Sequence, residues 1–193
     1  MAMDRRIKKT KNEIKRALLE ASNSKGIEQV TVQDIIDRAD INRATFYYHY
    51  KDKKDLVATI ETETLEGLIQ NIRIPDDHFN SFEYIVYHPI LATLEHVKSF
   101  EDVYKVLLSS NGITNFCWKM LDTIKSSLSD NFELLRKKNI VILNDKSYLV
   151  NFIAGAHLSV IIDWVNNGLE SDPQILAKHM ASVLTNGVKI QFQ

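Results

Sequence analysis

Between Thr31 and Asp55 the chain reads TVQDIIDRADINRATFYYHYKDKKD, three helix starts in one short basic segment. Thr31 precedes an apolar-periodic run, Asp34 follows three residues later, and Val30 and Ile35 flank them, which is the pattern of a capping box with a hydrophobic staple. Val32, Ile35, Ile36 and Ala39 then recur at helical spacing as one buried face. Asp40 and Ile41 interrupt the pattern, and Asn42 restarts it as a second preferred N-cap. On the next helix Phe46 and Tyr50, four apart, take the core side, leaving Arg43, Ala44, Thr45, Tyr47, Tyr48 and His49 to point elsewhere. Asp52 and Asp55 cap a third helix with Lys53 and Lys54 in its first turn. Caps this close together permit only a tight turn between short helices.

The lysines need a reason, because cations at a helix N-terminus oppose its dipole. A phosphate supplies one, since unpaired N–H groups beside an ammonium form a site for the backbone of a nucleic acid. The tyrosine hydroxyls and the imidazole can donate to further phosphate oxygens, and Arg43, Ala44 and Thr45 can meet base edges in a major groove. Taken singly, each aromatic is equally well read as a packing residue and each lysine as a solvated one; the constellation is what points to DNA.

Charge agrees with this reading. The net charge is −1, but residues 1–56 carry 13 Lys and Arg against 9 Asp and Glu (+4), leaving 11 against 16 (−5) for the remainder. A basic head on an acidic body suits one end facing a polyanion. Arg5, Arg6, Lys8, Lys9 and Lys11 form either a flexible arm toward DNA or a solvated tail. A single cysteine, Cys117, excludes an internal disulfide framework. The N-terminus has no apolar stretch after its charges, and the longest apolar run, from Phe152 to Ile162, contains His157 and falls short of the ~20 residues of a membrane span. A cytoplasmic protein without membrane contact is the expectation.

Few glycines and prolines and no alternating runs predict an all-α chain. Expected helices are 10–24, 52–73, 79–97, 99–109, 113–137, 145–167 and 172–190, in addition to the two short ones, with a break near Pro75, Asp76, Asp77 and His78. The last two carry apolar stripes, including Phe152, Ala156, Val160 and Trp164 on one and Leu176, Met180 and Val183 on the other. These seven residues are candidates for a dimer interface, with Gly155 and Ala156 allowing close approach, although burial within one subunit satisfies the periodicity equally well. Tyr84, Tyr87, His88, Tyr104, Phe116, Trp118 and Trp164 are candidates for a small-molecule effector pocket or plain core. The six histidines show no metal-ligand spacing, and no glycine-rich phosphate loop or nucleophile motif occurs, so neither a cofactor, a metal nor catalysis is expected.

The run Thr45-Phe46-Tyr47-Tyr48-His49-Tyr50 followed by Lys51-Asp52-Lys53 resembles the recognition-helix signature of TetR-family transcriptional regulators. That resemblance implies a DNA-binding domain over residues 8–68, with its reader at about 31–50, and a C-terminal helical effector-binding and dimerisation domain over 75–193. It also implies base contacts from Arg43, Ala44, Thr45 and Tyr47, phosphate contacts from Thr31, Tyr48, His49 and Lys53, and Asn42 as a cap. The implied protein is a homodimeric regulator, a repressor first and an activator or adaptor second, with palindromic operator DNA, a small-molecule effector or a protein co-regulator as partners. The family commonly has Gly in the turn where this chain has Asp40. The pattern Phe152, Gly155, Trp164, Gly168 and Ser171-Asp172-Pro173 is similar, more loosely, to the C-terminal domain of a TetR subgroup typical of Firmicutes.

Overall fold

The computed structural model describes residues 2–72, 82–109, 115–140 and 143–187, with side chains from Arg5 onward and, within the second segment, from Ile85 onward. Every regular element among them is helical: α1 Ala2–Lys25, a 3-10 turn Ile27–Gln29, α2 Val32–Ala39, α3 Arg43–His49, α4 Lys53–Ile72, α5 Phe82–Ser99, α6 Glu101–Leu107, α7 Phe116–Lys137, α8 Lys146–Asn166 and α9 Pro173–Asn186. The expected break at Pro75 to His78 and the helix ends placed at 73, 79, 113 and 190 lie outside the described residues. The chain groups into two compact units, Met1–Thr64 with Asp102–Phe116, and Leu65–Glu101 with Cys117–Gln193. The division falls inside α4.

In the first unit α1 packs on α2 and on the 3-10 turn. Ile14, Ala17, Leu18, Ala21, Ile27, Val30, Ile35, Ile36, Phe46, Tyr50, Leu56 and Ile60 are all buried, so each short helix is held by one apolar side rather than by its own length. α1 begins well before the expected Thr10, so Arg5 to Lys11 continue a helix instead of forming an extended arm. Lysine and arginine are good helix formers, and Lys9 pairs with Glu13 one turn on.

Local hydrogen bonds set the helix boundaries. Thr31 Oγ1 accepts from the Asp34 amide at 3.2 Å, while Asp34 Oδ2 accepts from the Thr31 amide at 2.7 Å and hydroxyl at 2.6 Å. Asn42 Oδ1 accepts from the Thr45 amide at 2.7 Å and hydroxyl at 2.9 Å. A reciprocal cap starts α4: Asp52 Oδ1 accepts from the Asp55 amide, and Asp55 Oδ2 from the Lys51 amide. Asp40 ends α2 in the left-handed region at φ 50°, ψ 50°, with its amide on the Ile36 carbonyl.

In the second unit α5 packs chiefly on α9 and also touches α8. Gly67 of α4 lies against His96 of α5 so closely that a Cβ there would come within 2.8 Å of the imidazole Cε1. α8 has 21 residues, and an 18-residue window within it reaches a mean hydropathy of 1.5, so it is long and apolar enough to cross a membrane by length and composition. The uninterrupted apolar run is shorter than the helix that contains it. One side of α8 buries Val150, Ala154, Leu158, Ile161 and Val165 in the unit.

A non-glycine residue in the left-handed region carries strain of roughly 1 kcal/mol, so Asp40→Gly is expected to raise stability by no more than about 0.5 kcal/mol, once glycine's larger unfolded-state entropy is subtracted. Asp40→Val should lower it, because β-branching is worst there. Chemical denaturation midpoints measure both; equal midpoints for glycine and valine would contradict the strained turn.

Candidate nucleic-acid interface and regulatory cavity

A helix of only seven residues has few ways to present side chains, and α3 divides them sharply. Phe46 is fully buried and Tyr50, at the helix C-cap, is 2% exposed. Arg43, Ala44, Tyr47 and Tyr48 are exposed, with Tyr48 at 70%, while Thr45 and His49 are half-buried. The buried ring of Phe46 meets Tyr47 edge-on at 5.4 Å between centroids. The Arg43 guanidinium lies 5.7 Å from the Tyr47 ring centroid, a cation–π pair one turn apart that steadies both side chains. Tyr48 and His49 meet edge to face at 4.9 Å. Burial, and next the nearby Lys11 ammonium, push the His49 imidazole below its ordinary pKa. The neutral ring can still donate one hydrogen bond.

Three of the residues expected to meet DNA are already engaged. Both donors of Thr31, its amide and its hydroxyl, go to Asp34, so a phosphate contact from either would cost part of the cap. Asp34 is itself held well below the usual carboxylate range, first by the Lys25 ammonium at 2.7 Å and then by Thr31. The Thr45 hydroxyl donates to Asn42, which leaves its methyl as the free feature for a base. Lys53 reaches back 25 and 26 residues to the carbonyls of Glu28 at 2.8 Å and Ile27 at 3.0 Å. Its position at a helix N-terminus therefore has an intramolecular reason, fastening α4 to the 3-10 turn. An ammonium has three donors, so one remains for a phosphate. Lys51 and Lys54 on either side are exposed; the position of Lys54 at the helix start, like that of Lys53, points it at a phosphate, whereas the sequence gives Lys51 no DNA contact.

Within the second unit a cavity of about 430 Å³ is lined from α4 by Ile72, from α5 by Ile85, Val86, Pro89, Ile90 and Thr93, and from α7 by Ile124, Leu128, Asn131, Phe132 and Leu135. Asn144 lies before α8, which adds Leu149, Phe152, Ile153 and His157, and the α9 end adds Val183, Leu184 and Gly187. Its described walls are mainly aliphatic, and none of the described members of the expected aromatic set lines it. Tyr104 and Phe116 are fully buried in the first unit, 6.2 Å apart as an edge-to-face pair. Trp118 is 65% exposed, Tyr87 and His88 are half-buried off the cavity wall, and the side chain of Tyr84 lies outside the described residues. Trp164 is buried, its indole donating to the Ser171 carbonyl at 3.1 Å, so it serves the subunit core and neither a pocket nor a dimer face. Of the other proposed interface residues, Phe152, Ala156 and Val183 are exposed, and Val160, Leu176 and Met180 half-buried. Phe152 and Val183 also line the cavity.

Comparison with known proteins places the chain. Residues 15–60 match the model of bacterial regulatory proteins of the tetR family, and residues 86–186 that of a transcriptional regulator C-terminal region. The two matches define an all-helical, helix-turn-helix transcriptional regulator, and the chain belongs to the TetR family, whose members are regulators and not enzymes. The HTH-type transcriptional regulator YxbF of Bacillus subtilis (strain 168) is 22% identical over 183 residues, 94% of this chain. The chain spans 46% of that curated relative's length. Among solved structures, the dihydroxyacetone kinase operon activator DhaS aligns at a TM-score of 0.66 with 21% identity, covering 91% of this chain and 93% of its own. The regulator FadR from Bacillus subtilis, in complex with stearoyl-CoA, aligns at 0.68 with 17% identity, covering 92% and 98%. Likeness at these identities speaks to the fold.

Two variants separate the lysines. Lys53→Ala should lower both folding stability, by about 1 kcal/mol for its two lost hydrogen bonds, and affinity for all DNA. Lys54→Ala should lower affinity alone and flatten the salt dependence by about one unit of slope. Denaturation and binding titrations at several salt concentrations read both effects; unchanged stability in Lys53→Ala would contradict the clasp.

The buried His157 adds a pH dependence. Burial pushes its imidazole down to about 4 from the ordinary 6.5, so the unfolded chain takes up the proton first. Stability is then intact above about 6.5 and falls between 6.5 and 4, by up to ~3 kcal/mol. His157→Phe should remove most of that slope in denaturation curves across this window; an unchanged slope would show that other groups carry it.

Proposed function

We propose that this protein is a homodimeric transcriptional repressor that reads a palindromic operator through α3 and releases it when an effector occupies its C-terminal helical domain. The observation carrying this reading is the division of α3: Phe46 sunk in the core, and Arg43, Ala44, Tyr47 and Tyr48 left on the surface beside the capped, lysine-bearing start of α4. In this account Arg43, Ala44, Thr45 and Tyr47 meet base edges, and Tyr48, His49 and the third donor of Lys53 meet phosphates, with Lys51 and Lys54 adding charge. The DNA-binding domain comprises residues 8–68 and the effector and dimerisation domain residues 75–193, acting on DNA in the cytoplasm.

One short helix reads few base pairs, whereas two related by a two-fold axis read half-sites roughly 34 Å apart. For the pairing surface the account uses the outer face of α8 and α9, where Tyr148, Phe152, Ile175 and Val183 are all about half-exposed or more. Gly155 stands among them, and a Cβ at its position would meet nothing within 4 Å, so a larger side chain there starts into open space at the proposed pairing surface. Likeness to an operon activator supports a second reading, an activator of the same fold controlled by a protein partner. Either way, an effector acts by preferring one spacing of the two heads, and it lowers or raises operator affinity in proportion to that preference.

Selection of bound sequences from a random duplex library tests the reading. It should return an inverted repeat, and Arg43→Ala should relax base preference within each half-site while Gly155→Trp yields a folded monomer by sedimentation. Recovery of no enriched sequence, or of an asymmetric one bound equally by the Gly155→Trp protein, would refute it.

A further inference from the structure

The α4–α9 cavity makes a more specific statement than its volume does. At about 430 Å³ it lies within the range of small-molecule sites, and among the described residues that line it none is Asp, Glu, Lys or Arg. Its polar groups are Thr93, Asn131, Asn144 and His157. Two of these already have uses: the Thr93 hydroxyl donates to the Pro89 carbonyl at 2.8 Å, and Asn131 Nδ2 donates to the Ile72 carbonyl at 3.4 Å. His157 differs. It is 6% exposed, it lines the cavity, and its buried Nε2 has no hydrogen-bond partner among the described residues. Buried polar atoms are nearly always paired, so an orphan on a cavity wall marks where a ligand's polar group would sit.

We propose that this cavity binds an uncharged, largely aliphatic molecule bearing one hydroxyl, which hydrogen-bonds His157 Nε2 while the chain fills the space between Ile85, Ile90, Ile124, Leu135 and Ile153. The proposal rests on the reading of the C-terminal helices as an effector domain and names the chemical class that domain takes. Four properties select the class. The imidazole is neutral, since burial holds its proton affinity low, so it offers a single donor or a single acceptor at Nε2. A hydroxyl, which donates and accepts, satisfies either tautomer. A carboxylate would leave an unpaired anion among apolar walls or force a buried imidazolium, both costly. The phosphates of an acyl-CoA would need cations, and the described lining offers none. The head is thus set by one atom and the tail by apolar area alone, so chain length should be discriminated weakly and head chemistry strongly.

The test uses the full-length protein and three probes of equal tail, 1-decanol, decane and decanoate, in calorimetric titrations at pH 7.5. Decanol should bind at least about tenfold more tightly than either of the others, the factor expected for satisfying one buried polar atom. His157→Phe should bind decane and decanol alike, whereas His157→Gln, which keeps a hydrogen-bonding group, should retain a preference for the alcohol. Circular dichroism on each variant separates loss of the head contact from loss of fold, and Ile124→Trp, which fills the cavity from α7, should abolish all binding. Tighter binding of decanoate, an undiminished alcohol preference in His157→Phe, or no binding of decanol would overturn the proposal. Gel shifts on the selected operator run beside these titrations distinguish the two levels. Failure to bind decanol with intact operator binding sinks the ligand class alone, and decanol binding without any operator shift sinks the regulator reading.

Discussion

The burial of Phe46 is the contact on which the interface depends. A seven-residue helix does not persist by itself in water, and α3 exists because this ring is fully enclosed by the first unit while Asn42 satisfies its first amides. Once Phe46 points inward, the helical repeat dictates the rest. Arg43 and Tyr47, a turn apart, share the outside, Tyr48 stands furthest into solvent, and Tyr50 returns to the core just after the helix. Truncating a buried phenylalanine of this kind costs about 3–5 kcal/mol, and here the loss would fall on the one element whose orientation matters for reading DNA. Stability and recognition are therefore two sides of one short helix.

Around that anchor the sequence was readable wherever a structure is decided within four residues. The Thr31–Asp34 box, the Asn42 cap and the Asp52–Asp55 cap are hydrogen bonds between near neighbours, and the spacing of donors and acceptors already contains them. The tight turn between the first two caps was readable too, and the structure closes it with Asp40 in the left-handed region. Lys53 marks the limit. Its position in the chain suggests a phosphate ligand, yet two of its protons go to carbonyls more than twenty residues earlier, a contact that only the tertiary arrangement creates. Apolar stripes have the same ambiguity. Periodicity says that Trp164 and Phe152 lie on α8 faces, but not that the first is sealed by the loop to α9 while the second stays open. Aromatic residues drew attention toward a pocket; the cavity is instead walled mainly by isoleucine, leucine and valine with Phe132 and Phe152, and Tyr104 and Phe116 meet edge to face in the other unit.

The C-terminal helices have two apolar jobs that compete for the same side chains. α8 buries Ala154, Leu158 and Ile161 and offers Phe152 both to the cavity and to solvent, and α9 does the same with Val183. A molecule entering beside Phe152 and Val183 would touch the helices that the proposed dimer brings together. Under the proposed function, binding energy spent on one arrangement of these two helices would be the means by which an effector biases the separation of the DNA-reading heads. For the proposed ligand, His157 offers the buried cavity-lining polar atom left without a partner among the described residues.

The central claim is that the exposed face of α3 lies against a duplex. Nitration of the full-length protein with and without its selected operator, read residue by residue by mass spectrometry, addresses it most directly, because Tyr47 and Tyr48 are exposed in the subunit. The account predicts that saturating operator DNA protects both, whereas an unrelated duplex at a salt concentration where it does not bind protects neither. Continued modification of Tyr47 and Tyr48 in saturated operator complexes would contradict it.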